Sequence, residues 1–348
     1  MAETMKAAVL HKVQDLRVQD WPKPTITNPD DVLVRIGAVG ICGSDIHFLE
    51  RGRIGDFIVR EPVILGHEAA GTVEEVGPAV TSLAPGDRVA IEPGRPCRRC
   101  EFCHRGEYNL CADVVFLAAP PVHGAFCDYL VWPADFLFKL PENVSLDEGA
   151  MCEPLSVGMW ATRRAKVKPG DTVAVLGSGP IGLTALQAAA YAGATTIIVT
   201  DFVPMRLEAA RRLGATHVID LNQADTVEAV MAITEGRGVD VVYECAGAIP
   251  STQAAIHIAR RGGMVQLVGM PSVDDFELPV YAMIGKELTL GGLFRYANCY
   301  PASIAGIAGG RIDAKSLITH HYTLDRCPEA MAFAATQKNQ ALKVVVRP

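Results

Sequence analysis

Three short segments carry side chains that bind metals. Gly40-Ile41-Cys42-Gly43-Ser44-Asp45-Ile46-His47, Leu65-Gly66-His67-Glu68 and Cys152-Glu153-Pro154-Leu155 together offer one thiolate, one imidazole and one or two carboxylates. That donor set suits zinc and leaves a position open for water or substrate, which is the arrangement of a catalytic metal. Each residue also has a plainer use: Cys42 as a small buried hydrophobe, His67 as a core histidine, Glu153 as a charge at a helix N-terminus. A second cluster is denser. Cys97, Cys100, Cys103 and Cys111 form C-x2-C-x2-C-x7-C in a loop rich in Pro, Arg and Gly. Four thiolates so spaced can enclose a tetrahedral zinc with no position left for substrate, a structural site. An iron–sulfur cluster is the competing reading; the long last spacing and the missing Cys-Pro ending stand against it.

Gly177-Ser178-Gly179-Pro180-Ile181-Gly182 follows an apolar run at residues 172–176 and opens an apolar helix at residues 183–192. In that setting GxGxxG is a phosphate cradle. Gly177 allows the tight turn, Gly179 lets the backbone approach a pyrophosphate, and Gly182 lets helix and strand pack closely. The helix N-terminus adds unpaired N–H groups and a partial positive charge. Beyond Gly182, Asp201 ends the next strand and is placed to accept hydrogen bonds from ribose hydroxyls. A carboxylate there repels a 2′-phosphate, so NAD is expected over NADP, with Arg206 as the residue that would neutralise a phosphate if it turned inward. Gly177, Gly179, Pro180, Ile181, Gly182, Asp201 and Arg206 are the candidate cofactor residues.

Two kinds of element must position these groups. Short β-rich runs at residues 5–10, 31–39, 70–76 and 87–91, punctuated by Pro and Gly, predict an irregular β domain. From about residue 171, apolar runs alternate with helical stretches. The strands expected at 172–176, 196–200, 217–220, 239–244, 264–269 and 288–293 make an α/β, doubly wound, parallel six-stranded sheet. The pieces at 301–308, 317–324 and 342–346 are too short to be stable alone and are expected to rejoin the first domain. The expected boundaries are residues 1–156, with 293–348 returning to them, and 157–292 for the nucleotide-binding part.

The bulk composition agrees with such an enzyme. The 348 residues suffice for two cores, and 49% hydrophobic with 20% charged residues excludes a largely disordered chain. The net charge of -7 has no basic stripe in it, so no nucleic-acid partner is expected. The N-terminus lacks the pattern of a signal peptide, and no apolar stretch reaches the roughly 18 residues of a membrane helix, so neither secretion nor a membrane is expected. Ten cysteines without an export signal point to a reducing compartment, the cytoplasm.

Taken in order, G-I-C-G-S-D-x-H, G-H-E, the four-cysteine loop and G-S-G-P-I-G resemble the zinc-containing medium-chain dehydrogenases over essentially the whole chain. Gly52-Arg53-Ile54-Gly55, Glu153-Pro154-Leu155-Ser156-Val157-Gly158 and Gly292-Leu293-Phe294-Arg295-Tyr296 are similar to the sorbitol and xylitol dehydrogenase branch. The resemblance implies a GroES-like β-rich catalytic domain and an inserted Rossmann domain. It also implies NAD, one catalytic and one structural Zn2+ per subunit, and a homotetramer, with a homodimer as the alternative. The implied reaction is zinc-dependent oxidation of a polyol secondary hydroxyl to a ketose, xylitol to D-xylulose or sorbitol to fructose. By the same resemblance Cys42 and His67 match zinc ligands. Either Glu68 completes the set while Glu153 hydrogen-bonds water on the metal, or Glu153 binds directly. Alcohol dehydrogenases usually carry cysteine at the position of Glu153, and some animal sorbitol dehydrogenases lack the structural zinc; here the four cysteines are complete.

Ser44 and His47 match positions that relay a proton to solvent. Asp45 is placed to orient the His67 ring. Arg295 and Tyr296 match a substrate-pocket motif and Phe116 an apolar wall. Their plainer readings are a turn hydroxyl, packed rings and an interdomain salt bridge. Phe48 departs from the tyrosine of several relatives and removes one hydroxyl. The competing functions are a 2,3-butanediol, threonine or other secondary-alcohol dehydrogenase with the same metal chemistry, and, from another class, a non-enzymatic dinucleotide-binding protein.

Overall fold

The computed structural model describes residues 3–273 and 275–348. It divides into two compact units: Met1–Glu153 with Tyr300–Gly309 and Ala314–Pro348, and Pro154–Cys299 with Gly310–Asp313.

A seven-stranded sheet forms the centre of the first unit. Its order is Leu137–Lys139, Arg88–Ile91, Glu68–Val76, Asp31–Gly40, Lys343–Arg347 and Ile318–Thr323, with Tyr129–Pro133 also paired to Asp31–Gly40. Asp31–Gly40 is buried along nearly its whole length, which is why its sequence, D-V-L-V-R-I-G-A-V-G, is an almost unbroken apolar run. Its valines and isoleucine join Leu10, Ile64, Phe126 and Val346 in one apolar cluster; a fully buried side chain of this kind contributes roughly 1.5–3 kcal/mol. The register does the positioning. Gly40 pairs with Glu68, and Val345 pairs with Gly40. Three chain segments distant in sequence therefore meet at one end of the sheet, bringing Cys42, His67, Glu68 and Lys343 together. Gly40 has to be glycine, since a Cβ there would sit 2.1 Å from a Glu68 carboxylate oxygen. The returning segment is anchored by Tyr300, fully buried, whose hydroxyl donates to the Ile91 carbonyl (2.8 Å).

The second unit is a parallel sheet of six strands ordered His217–Asp220, Thr196–Asp201, Thr172–Leu176, Val239–Glu244, Ala259–Leu267 and Thr289–Gly292. This is the doubly wound order expected from the alternating pattern, with its switch point between Thr172–Leu176 and Val239–Glu244. One strand differs from expectation. It begins at Ala259 rather than residue 264, because Ala259 pairs with Val239 before a register shift absorbs the Arg260–Gly263 stretch.

Candidate active site

Cys42, His67 and Glu68 offer three ligand atoms within 4.8 Å of one another. Cys42 is the N-cap of the helix Gly43–Arg51. Asp45, fully buried, accepts from the Cys42 N–H (2.9 Å) and the Gly66 N–H (3.0 Å), so one carboxylate fastens both ligand-bearing segments. This corrects the expected role of Asp45: its oxygen lies 3.9 Å from His67 Nδ1, too far for a hydrogen bond, and it holds the backbone rather than the ring. Burial lowers the His67 pKa, but the Cys42 sulfur, backed by Asp45 and Glu153, outweighs burial and lifts the imidazole to about 10. Without a metal this pocket holds a proton, and a cation of higher charge fits the same set of donors.

Glu153, also buried, lies in the first turn of the helix Cys152–Ala165, and its charge is felt at His67 and Lys343. It is not in the three-donor group. Cys152 beside it is fully buried, points its sulfur at the Glu148 carbonyl, and is pushed well up by burial, which suits packing rather than ligation. The Phe116 ring stands 5.5 Å from the His67 ring and walls one side of it. The Ser44 hydroxyl and His47 Nδ1 are buried without a hydrogen-bond partner among the described residues, and burial, followed by Arg51, keeps the His47 pKa low. A neutral imidazole is the form that accepts a proton.

Sequence reasoning passed over Lys343. Its ammonium, buried, donates to both oxygens of Glu68 (2.7 Å each) and to the Ile41 carbonyl (3.0 Å). Burial lowers its pKa, yet the neighbouring Glu68, Cys42 and Glu153 charges raise it overall. The signal in the sequence was a lysine opening the apolar run Lys343-Val344-Val345-Val346. Glu92 is another omission: it accepts from the Tyr108 hydroxyl (2.7 Å), and burial, reinforced by Glu153 and Asp135, lifts it to about 7.

The sulfurs of Cys97, Cys100, Cys103 and Cys111 form the second group of donors within 4.8 Å. Zinc–sulfur bonds of about 2.3 Å at tetrahedral angles place sulfurs about 3.8 Å apart. Here Cys97 and Cys103 are 3.9 Å apart and Cys100 and Cys103 3.4 Å, so the cage is already near that size. The Arg99 N–H draws Cys97 down to about 6, while burial and the other thiols push Cys103 up to about 12.

In the second unit Gly177 has φ +92° and Gly179 caps the helix Pro180–Tyr191, with Pro180 at its first position. A Cβ at Gly182 would lie 1.9 Å from the Gly177 carbonyl. The turn borders a cavity of about 760 Å³ lined also by Asp201, Arg206, Cys245, Ala246 and Ser251. Asp201 accepts from the Ser178 N–H (2.7 Å) and hydroxyl (2.9 Å) and from the Val203 N–H (2.9 Å); Arg206 lies 4.0 Å away. Open backbone at Gly179 beside a fixed carboxylate fits a dinucleotide. Arg295 stacks over the Phe294 ring (4.7 Å) and Tyr296 is buried, both in this unit.

Known proteins place this arrangement. Residues 28–142 match the alcohol dehydrogenase GroES-like domain, and residues 180–308 match the zinc-binding dehydrogenase domain. The chain is 48% identical over 346 residues to the sorbitol dehydrogenase of Bacillus subtilis (strain 168), covering 99% of this chain and 98% of that one. It is 42% identical to the L-idonate 5-dehydrogenase of Vitis vinifera, covering 99% and 94%. Among solved structures, an oxidoreductase/dehydrogenase of unknown specificity from Escherichia coli superposes with a TM-score of 0.94 at 39% identity, covering 99% of each chain. The chain belongs to the zinc-binding alcohol dehydrogenase family, with its GroES-like and Rossmann-type domains. It is an oxidoreductase that works with zinc and a nicotinamide dinucleotide.

Proposed function

We propose that this enzyme oxidises a secondary hydroxyl of a linear polyol, sorbitol or xylitol, to the ketose, with NAD as the hydride acceptor. The observation that carries this is the converging Cys42, His67 and Glu68 donor set in a chain so similar to a sorbitol dehydrogenase. Zinc held by these three residues supplies Lewis acidity that lowers the pKa of a substrate hydroxyl. Glu153 stands by the metal site as a hydrogen-bonding carboxylate rather than a ligand, a reading supported by its place outside the three-donor group. Ser44 and His47 receive the hydroxyl proton and pass it outward. Phe116 shields the imidazole of His67 from water. Arg295 and Tyr296 keep the role that the resemblance assigns, hydrogen bonding to substrate hydroxyls. The unit of Met1–Glu153, Tyr300–Gly309 and Ala314–Pro348 serves as the catalytic part, and that of Pro154–Cys299 and Gly310–Asp313 as the cofactor part.

Asp201 favours NAD, since its fixed carboxylate accepts from ribose hydroxyls and repels a 2′-phosphate. The Cys97–Cys111 cage holds the structural zinc. Ten cysteines without a disulfide support a cytoplasmic enzyme. The edge strand Thr289–Gly292 and exposed Tyr281 and Ile284 support assembly into a homotetramer, or a homodimer. Initial rates with NAD and NADP on sorbitol, xylitol, L-idonate, 2,3-butanediol and threonine test the substrate. The highest kcat/KM on a polyol with NAD supports the proposal, and a preference for threonine or butanediol removes it.

A further inference from the structure

Glu244 ends the strand Val239–Glu244 and is the register partner of Leu176, the residue before the glycine turn. Its side chain is 1% exposed, yet none of the roles described above uses it. One oxygen accepts from the Ala246 N–H (3.0 Å), the Gly247 N–H (3.0 Å) and the Ser251 hydroxyl (2.6 Å). The second oxygen lies 3.2 Å from the Gly247 nitrogen. The loop so gathered is wedged on both sides. A Cβ at Gly177 would sit 3.0 Å from Ala246, and a Cβ at Gly247, φ +64°, would sit 2.4 Å from the Met270 carbonyl. Cys245, Ala246, Ala248 and Ser251 line the cavity that Gly177, Gly179 and Asp201 border from the other side.

We propose that Glu244 is a positioning residue for the dinucleotide: its carboxylate gathers the N–H groups of Ala246 and Gly247 and the Ser251 hydroxyl, and so presses the 245–248 loop into place against the Gly177 turn. The proposal rests on the cofactor reading of that cavity. The carboxylate's charge strengthens all three bonds to the one oxygen, whereas glutamine offers a neutral, weaker acceptor there and sets its NH2 group at the second position, 3.2 Å from the Gly247 nitrogen, donor facing donor. The loop then relaxes, and the cavity wall opposite the glycine turn loses its fixed shape. Because the contact is made before any chemistry, its loss falls on cofactor binding rather than on turnover.

The test compares the zinc-loaded full chain with its Glu244→Gln and Ser251→Ala variants, titrating NADH by fluorescence and measuring melting temperature, kcat and KM. The expected result is an NADH Kd and an NAD KM raised about tenfold in Glu244→Gln and about threefold in Ser251→Ala. The polyol KM stays unchanged, and kcat at saturating NAD falls by less than threefold. The double variant should match Glu244→Gln, since both changes remove parts of one network. An unchanged NADH Kd in Glu244→Gln overturns the proposal, as does a loss confined to kcat. If Glu244→Gln does not fold, an unchanged Kd in Ser251→Ala overturns it. A wild-type protein that binds no NADH overturns the cofactor reading itself, which separates the two failures.

Discussion

The ammonium of Lys343 sits 2.7 Å from both carboxylate oxygens of Glu68, although 275 residues separate them in the chain. The pair is buried, so removing one partner strands a charge in the interior, at a cost of about 3–5 kcal/mol. Zinc at the site gives Glu68 a second cation. Lys343→Met is therefore expected to lower the melting temperature of the zinc-free protein more than that of the zinc-loaded protein, and Glu68→Gln in the same background should recover part of the loss. Differential scanning fluorimetry with and without zinc measures both; equal losses in the two states would show that Lys343 acts without reference to the metal site.

The structural cage should be separable from the chemistry. Cys100→Ser is expected to remove one of the two zinc ions and lower the melting temperature by roughly 5–10 °C, as a few kcal/mol would in a unit of this size. Zinc retained at the Cys42 site should keep the protein active at low temperature. Metal analysis beside a thermal melt decides; full zinc content after the substitution would exclude the cage.

Zinc binding at the Cys42 site should release protons. His67 is lifted to about 10 in the metal-free site, so at pH 7 its ring is protonated and must lose that proton to bind. Affinity is expected to weaken as pH falls. Calorimetric titration of zinc into the metal-free protein, in two buffers of different ionisation enthalpy, counts the protons. A heat independent of buffer would contradict the expectation.

Burial alone would raise the Asp240 pKa, but Arg237, the Thr172 N–H and Arg260 hold its carboxyl far below the usual range. Its oxygens accept from Arg237 (2.7 Å), Arg260 (2.5 Å) and the Thr172 N–H (2.9 Å), tying two strands to one strand end. Both arginines are partly exposed, so solvent screens part of this attraction. Asp240→Asn should cost about 2 kcal/mol at pH 7. With the folded pKa below the unfolded one, this contribution is present above about pH 4 and is lost as pH falls further. Urea melts of both proteins at pH 7 and pH 3.5 check this; a gap that widens in acid would refute the sign.

What was legible in the sequence depended on how locally each feature is encoded. The Cys97–Cys111 spacing and the Gly177–Gly182 turn are complete within short windows, and the apolar runs of the parallel sheet show plainly because its strands are buried on both faces. Cys42 and His67 were recognisable only through their surrounding segments. Lys343 was not, because its meaning comes from a register that pairs Val345 with Gly40 and Gly40 with Glu68. Asp45 was placed beside His67 but given the wrong partner, since a carboxylate in a helix first turn finds backbone N–H groups before a neighbouring ring. The strand Asp15–Pro22 is missing from the expected runs although D-L-R-V-Q-D-W-P alternates polar and apolar residues at the strand period, and its pairing with Thr4–Lys12 is set by the turn between them.

The central claim is that Cys42, His67 and Glu68 hold the zinc on which polyol oxidation depends. Its most direct test is NAD reduction with sorbitol and xylitol before chelation, after chelation, and after zinc is restored, in the wild type and in Cys42→Ala. The expected result is activity lost on chelation and regained with zinc in the wild type, and no more than about a thousandth of it in Cys42→Ala under any condition. Undiminished activity in the chelated wild type, or in Cys42→Ala, would contradict the claim.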